Sequence, residues 1–507
     1  MKLCTTLPEL LSLGNDSDPA IGAPDQLDVS FKSLRSFITK TVSSLNHFGI
    51  GRNDRVAIVL DNGPEMALAF MAIASGATSA PLNIAYRADE FLFYLEDLQA
   101  KAIVVQANSV SPAIDVAKKI GIAIIDLHPT PELGAGTFTL KMRSSKKLQL
   151  KQPGWAQEDD VALILHTSGT TSRPKIVPLT QSNVCASAGN IANTLAFTKA
   201  DRGLNIMPLF HIHGLIAGIL APLSAGSFVS CTPGFNALKF FTWMDQIKPT
   251  WYTAVPTMHQ TILTRAKPNQ AIIQNNPLRF IRSSSSSMPT KVIEELEICF
   301  SAPLIESYGM TEASHQMCSN LLPPATRKPG TVGVAAGPQV AIMDEHGAIL
   351  GIGETGEIVI RGANVTKGYE NNPKANAENF TNGWFRTGDQ GTIDADGYVT
   401  ITGRLKEIIN RGGEKISPRE VDEILMEHPA VLQVVTFAIP HEKLGEEVAA
   451  VIVLREGFQA EEKELRLFAA QKLTDFKVPK KIIFMAEIPK GATGKLQRIG
   501  LASKLGL

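Results

Sequence analysis

A chain of 507 residues is more than one hydrophobic core usually holds, so at least two domains are expected. Its 49 basic and 49 acidic residues cancel, which leaves no electrostatic footprint for nucleic acid. With 44% hydrophobic residues but nowhere about 18 apolar residues in a row, the composition is that of a globular protein without a membrane span.

In chain order, the N-terminal MKLCTTLPELLSLGNDSD has its apolar positions interrupted by Thr5, Thr6, Pro8 and Glu9, which suits a short amphipathic helix better than a signal peptide. Residues 55–60 (RVAIVL) read as a buried strand and residues 64–73 as a helix opening on proline. Residues 102–105, 123–126, 162–165 and 251–255 read as further strands. Such alternation predicts α/β layers of largely parallel sheet, with binding sites at the carboxyl ends of strands. From about residue 347 to 396 the texture turns glycine-rich, and GAILGIGETGEIVIRG and WFRTGDQGTIDADGYVTITG read as hairpins of a smaller β-rich unit. After Arg404 the pattern restarts with a short strand at 407–409, a Gly-Gly turn and a helix from Ser417-Pro418. Strands within 431–454 and an amphipathic helix over 461–473 follow. The predicted division is therefore a large domain over 1–404 and a small α+β domain over 405–507.

Cys4, Cys185, Cys231, Cys299 and Cys318 are odd in number and widely spaced, with no CxxC or Cys/His cluster. Neither a disulfide framework nor a zinc site is expected, and free thiols point to a reducing, cytoplasmic setting. Ser503-Lys504-Leu505 has the letters of a peroxisomal address, but Gly506 and Leu507 follow it, and that signal is read at the extreme C-terminus.

Five segments carry chemistry. HTSGTTSRPK at 166–175 follows a strand; small hydroxyl residues around Gly169 let backbone N–H groups and hydroxyls surround phosphate oxygens, and Lys175 supplies charge. It is no Walker A loop, because Lys175 leads into Ile176-Val177 and not into a helix, and a polar surface loop would read the same. In ESYGMTE at 306–312, Tyr308 can stack a purine, Thr311 can bond a phosphate and Glu312 can hold Mg²⁺ through oxygen; a strand-to-helix turn with a buried tyrosine is the plain alternative. In GWFRTGD at 383–389, Asp389 can accept both hydroxyls of a ribose or be an ordinary turn aspartate. GRLKEIINRGGEKI at 403–416 and PKGATGK at 489–495 complete the series, the last carrying Lys495 on a loop.

All five in this order resemble the adenylate-forming superfamily of acyl-CoA synthetases, peptide-synthetase adenylation domains and beetle luciferases, over nearly the whole chain. The resemblance implies ATP, Mg²⁺ and coenzyme A as cofactor and co-substrates and a carboxylic acid as substrate. Thr167, Ser168, Gly169, Thr170, Thr171 and Lys175 match the family's phosphate loop; Ser307, Tyr308, Thr311 and Glu312 match its adenine, phosphate and magnesium positions. Asp389 and Arg404 match its ribose pair, and Lys495 the lysine that bridges acid and α-phosphate. Leu405-Lys406 would be a hinge, about which the small domain turns to withdraw Lys495 and bring in the Gly412-Gly413 loop for pantetheine.

The family builds its acid pocket after the strand segments that here carry PLFHIHG, RFIRSSSSS and YGMTEASH. A long fatty or aromatic acid wants apolar walls, whereas His211, His213, the serines at 283–287 and His315 suggest a short acid with a second polar end. These segments look closest to the oxalate–CoA ligase branch, in which Ser285, His315 and a histidine of PLFHIHG would hold the distal carboxylate, with at least one imidazole cationic or donating through N–H. His211 is also assigned a catalytic place. A 4-coumarate-like or other short-chain acid, a luciferase-like oxygenase and a carrier-loading adenylation module are the alternatives.

Overall fold

The computed structural model describes residues 4–143, 148–167, 174–491 and 495–507. Its first large sheet has seven strands in the order Phe138–Met142, Ala123–Pro129, Ala102–Gln106, Arg55–Val59, Thr78–Pro81, Val161–Thr167 and Lys175–Thr180. The five inner strands are parallel and the two edge strands antiparallel to their neighbours. The second has nine strands, with a parallel run through Phe228–Cys231, Arg202–Asn205, Trp251–Ala254, Phe280–Ser283 and Leu304–Met310. The apolar strand readings at 55–60, 102–105, 123–126, 162–165 and 251–255 all fall on these strands, with ends shifted by a few residues.

Helix Pro64–Ala74 (PEMALAFMAIA) explains how the two sheets share a core. Every residue but Glu65 is buried, because the helix is apolar all round and packs against strands of both sheets. The N-terminal segment forms helix Leu7–Leu11, with Thr6 as N-cap and its leucines buried.

The β-rich unit contains Gln339–Met343, Gly356–Arg361, Trp384–Ile393 and Val399–Arg404 as antiparallel strands, with Phe380–Thr381 at one edge. The hairpin expected over 384–403 is present. The one expected within 347–362 takes its first strand from Gln339–Met343 instead, since the glycines at 347, 351 and 353 serve the connection between the strands. After Arg404 come Ile409–Arg411, Glu414–Ile416, helix Pro418–Met426, the long pair Val431–His441 and Gly445–Leu454, helix Glu462–Ala470 and strand Lys481–Phe484. Arg419 ties this last sheet-and-helix unit to what precedes it, donating to the Ile401 carbonyl at 2.8 Å and the Gly330 carbonyl at 3.4 Å.

Candidate active site

The carboxyl ends of both large sheets, the β-rich unit and the C-terminal unit all border one cavity of about 1280 Å³. Thr167 and Lys175 line it from adjacent strands, opposite one another in register. Ser168, Gly169, Thr170 and Thr171 lie outside the described residues. Lys175 Nζ stands 4.4 Å from the centre of the Tyr369 ring, and the Tyr369 hydroxyl donates to Glu312 Oε1 at 2.7 Å. Burial raises the Glu312 carboxyl pKa, opposed by that hydrogen bond and by the charges of Lys175 and Arg404. Glu312 thus sits with Thr311 on a short 3-10 turn that closes strand Leu304–Met310, where Ser307 and Tyr308 also line the cavity.

Asp389 is held from two sides. The Tyr308 hydroxyl donates to its Oδ2 at 2.5 Å, and Arg404 Nε lies 3.2 Å from its Oδ1. Strand pairing sets Asp389 opposite Arg404, so the ion pair follows from the register of Trp384–Ile393 with Val399–Arg404. The former strand starts from a tight turn in which Asn382 and Gly383 both have left-handed backbone (φ 51° and 79°).

The same cavity borders a cluster of histidines, of which His213 and His315 are buried and His211 half-buried. His211 and His315 line the cavity, whereas His213 lies behind the surface, at the start of the wide-turned π-helix His213–Leu220. The His213 and His315 rings stack at 4.8 Å with 18° between planes, and His213 Nδ1 is 3.1 Å from Ser285 Oγ. Ser285 (φ 78°), Ser314 (φ 50°) and His315 (φ 103°) have left-handed backbone, which is uncommon for residues with side chains and clusters at functional sites. Gly309 permits it, because a Cβ there would fall 1.7 Å from the His315 carbonyl oxygen. Burial, then the nearby Lys495 charge, pushes the His211 pKa down to about 3. Burial and neighbouring charges hold His213 and His315 well below the usual imidazole range. All three rings are therefore neutral near pH 7, and of the two expected modes the N–H donor fits and the cation does not.

Lys495 enters from the C-terminal unit. The Gly491 N–H donates to its carbonyl at 2.8 Å, and the Gln497 N–H to the Pro489 carbonyl at 2.9 Å. Burial and the Arg404 charge lower the Lys495 pKa, while Asp389 and Glu312 oppose this. The same ammonium lowers the pKa of His211, His213 and His315, so it stands within electrostatic reach of both clusters. Gly412 and Gly413 do not join the cavity. They form the exposed left-handed turn (φ 59° and 99°) of the Ile409–Arg411/Glu414–Ile416 hairpin, and a Cβ on Gly413 would meet nothing within 4 Å.

Two site residues were not singled out from the sequence. Tyr369, which orients Glu312, sits in a loop whose spacing gives no signal. Arg282 is fully buried, with Nη1 3.2 Å from His213 Nε2 and Nη2 3.1 Å from His315 Nε2. A charged residue inside the apolar strand Phe280–Ser283 was the available clue.

The chain resembles known proteins over most of its length. The sequence pattern described as "AMP-binding enzyme" matches residues 15–370, and that of the "AMP-binding enzyme C-terminal domain" matches 420–495. The chain is 43% identical over 489 residues to an oxalate–CoA ligase of Arabidopsis thaliana, covering 94% of each. It is 44% identical over 470 residues to an oxalate–CoA ligase of Saccharomyces cerevisiae, covering 88% of this chain and 86% of the relative. Among solved structures, ATP-bound MatB from Rhodopseudomonas palustris superposes with a TM-score of 0.87 at 28% identity, over 99% of this chain and 98% of that one.

Proposed function

The chain belongs to the AMP-binding enzyme family, and on that footing we propose that it is an ATP-dependent acid–CoA ligase whose acid is oxalate. The observation that carries the acid assignment is the neutral, hydrogen-bonding wall of Ser285, His211 and His315, which borders the same cavity as Lys495 and the Tyr308–Asp389–Arg404 cluster. A long fatty or aromatic acid would leave those buried donors unpaired, whereas a second carboxylate on a short acid satisfies them.

In this reading Asp389, steadied by Tyr308 and Arg404, accepts the ribose hydroxyls, and Thr167, Thr311 and Lys175 meet the phosphates. The acid carboxylate attacks the α-phosphorus, an oxygen–phosphorus bond forms, and pyrophosphate leaves with its electron pair. Lys495, within electrostatic reach of both the histidine wall and the acidic pair Asp389/Glu312, lowers the repulsion between two anions as they approach. Its half-buried setting strengthens that charge relative to one in water. The CoA thiol, losing its proton, then attacks the acyl carbonyl and AMP departs.

Among the described residues no three His, Cys, Asp or Glu side chains gather as a metal site, and of the buried carboxylates that line the cavity it is Glu312, next to Thr311 and within reach of the Lys175 charge, that would hold a magnesium ion. That fits a hard cation held by one carboxylate and substrate phosphate oxygens, and Mg²⁺ bound there would neutralise phosphate charge.

The domain reading belongs to the same proposal: residues 1–404 form the large domain, residues 405–507 the small one, and Leu405-Lys406 the hinge. The cavity with Lys495 inside and Gly412-Gly413 outside is the adenylating arrangement, and rotation brings the glycines to pantetheine. A cytoplasmic setting accords with five cysteines that form no disulfide, and no described helix is long and apolar enough to cross a membrane.

The test is AMP release dependent on both ATP and CoA, across oxalate, malonate, acetate, octanoate and 4-coumarate. Oxalate should give the highest kcat/KM; preference for octanoate or 4-coumarate would overturn the acid assignment and leave the enzyme class intact.

A further inference from the structure

Arg282 is the largest charged side chain in the interior, fully buried on strand Phe280–Ser283. Its four side-chain partners among the described residues are all neutral: His213, His315, Thr253 Oγ1 at 3.4 Å and Gln316 Oε1 at 3.3 Å. Its Nε has no partner. Burying a cation without a carboxylate is expensive, and its pKa falls to about 9 through burial, so it stays charged at neutral pH.

A guanidinium only donates. Because Nη1 and Nη2 point at the Nε2 atoms of His213 and His315, both Nε2 atoms must accept, and each neutral ring must carry its proton on Nδ1. The Thr253 hydroxyl, 2.7 Å from His213 Nε2, donates to the same single lone pair and itself accepts from Arg282 Nη1 at 3.4 Å, an arrangement that agrees with this tautomer. His213 Nδ1–H then donates to Ser285 Oγ, so the Ser285 hydroxyl hydrogen is free to point into the cavity, where Ser285 and His315 are both wall residues.

We infer that Arg282 is a positioning residue for acid selectivity, fixing His213 and His315 as Nδ1–H tautomers and relaying its positive charge to the distal carboxylate through His315 and through His213–Ser285. The inference rests on the reading of this wall as the binder of a short diacid. It explains how a site whose wall carries only neutral groups can prefer a second negative charge: the cation stands one side chain back, where it cannot bind the reacting carboxylate or the phosphates in the wrong register. It also explains why His213 is buried behind the surface and why the two rings stack.

Two measurements test it. In the wild-type enzyme labelled with ¹⁵N-histidine, the ring nitrogens of His213 and His315, assigned with His213→Asn and His315→Asn, should report the Nδ1–H tautomer. An Nε2–H tautomer at both rings overturns the inference without any Arg282 variant having to fold. In kinetics, Arg282→Gln should raise KM for oxalate about tenfold or more, with KM for ATP within about twofold and acetate used equally well or better. Arg282→Lys, which keeps the charge, should retain more of the oxalate-to-acetate preference than Arg282→Gln. Equal loss in both variants, or an unchanged preference in Arg282→Gln with normal KM for ATP, overturns the inference while leaving the oxalate reading in place. If wild-type enzyme itself prefers monoacids, the oxalate reading and the charge relay fall together, and the tautomer experiment still decides the positioning role.

Discussion

Replacing Lys495 by alanine removes an ammonium that reaches both the histidine wall and the Asp389/Glu312 carboxylates. Acyl-AMP formation should fall at least about a hundredfold, while thioester formation from pre-made acyl-AMP should survive far better; equal losses in the two half-reactions would refute the role. His315→Ala deletes a neutral N–H donor to a buried anion, so KM for oxalate should rise about ten- to a hundredfold with KM for ATP little changed. The histidines also make an acid-side prediction. The folded pKa of His211 is held near 3, below the unfolded value of about 6.5, so the unfolded chain binds the extra proton between those limits. Stability should therefore drop as pH falls below about 6.5, by up to about 1.4 kcal/mol per pH unit for one such group. His211→Asn should show a shallower decline in Tm from pH 6.5 to 5, and an identical slope would mean the ring is not held neutral. At this scale the sequence marked a set of polar residues that line the cavity, among them Lys175, Tyr308, Glu312, Asp389 and Lys495, because phosphate, ribose and carboxylate chemistry demand particular side chains. It did not mark Arg282 or Tyr369, whose importance lies in what they touch, and contact between residues 282 and 213 or between 369 and 312 leaves no trace in local spacing.

Strands were legible where burial on both faces makes an apolar run, as at Arg55–Val59 and Ala102–Gln106. Glycine-rich stretches were less so: with several glycines able to turn, the hairpin expected within 347–362 found its partner in Gln339–Met343. The Gly412-Gly413 turn was placed correctly because two glycines readily take the two successive left-handed conformations that a tight hairpin needs. Its role gives a prediction at this scale. A side chain on Gly413 enters open space here, at a backbone cost of about 1–3 kcal/mol. Gly413→Phe should thus fold and form acyl-AMP at near wild-type rate, yet lose most transfer to CoA if this turn later meets pantetheine. Near-normal thioester production would sink that second placement.

For the whole molecule, one contact bears directly on how the small unit sits. Arg419 holds it to the Ile401 and Gly330 carbonyls, and Arg419→Ala removes two hydrogen bonds specific to the present arrangement. Adenylation should slow several-fold, since each bond contributes about 1 kcal/mol, while transfer from pre-made acyl-AMP should hold or rise; slowing of both steps together would mean the residue serves folding alone. The layers and the cavity at the strand ends were predictable from alternation, but the orientation of the C-terminal unit was not, because it rests on contacts between distant parts of the chain, such as those of Arg419, and not on periodicity.

Lys495 and the Gly412-Gly413 turn are carried by the same small unit, one inside the cavity and the other outside it. In the proposed rotation the two half-reactions draw on one shared population of molecules: every enzyme poised for the first is idle for the second. Tightening the Arg419 clasp would raise the melting temperature and slow turnover at once, and loosening it would leave adenylate waiting on a rarely armed lysine. Turnover must then peak at an intermediate grip, so the most stable variant of this protein should not be its fastest.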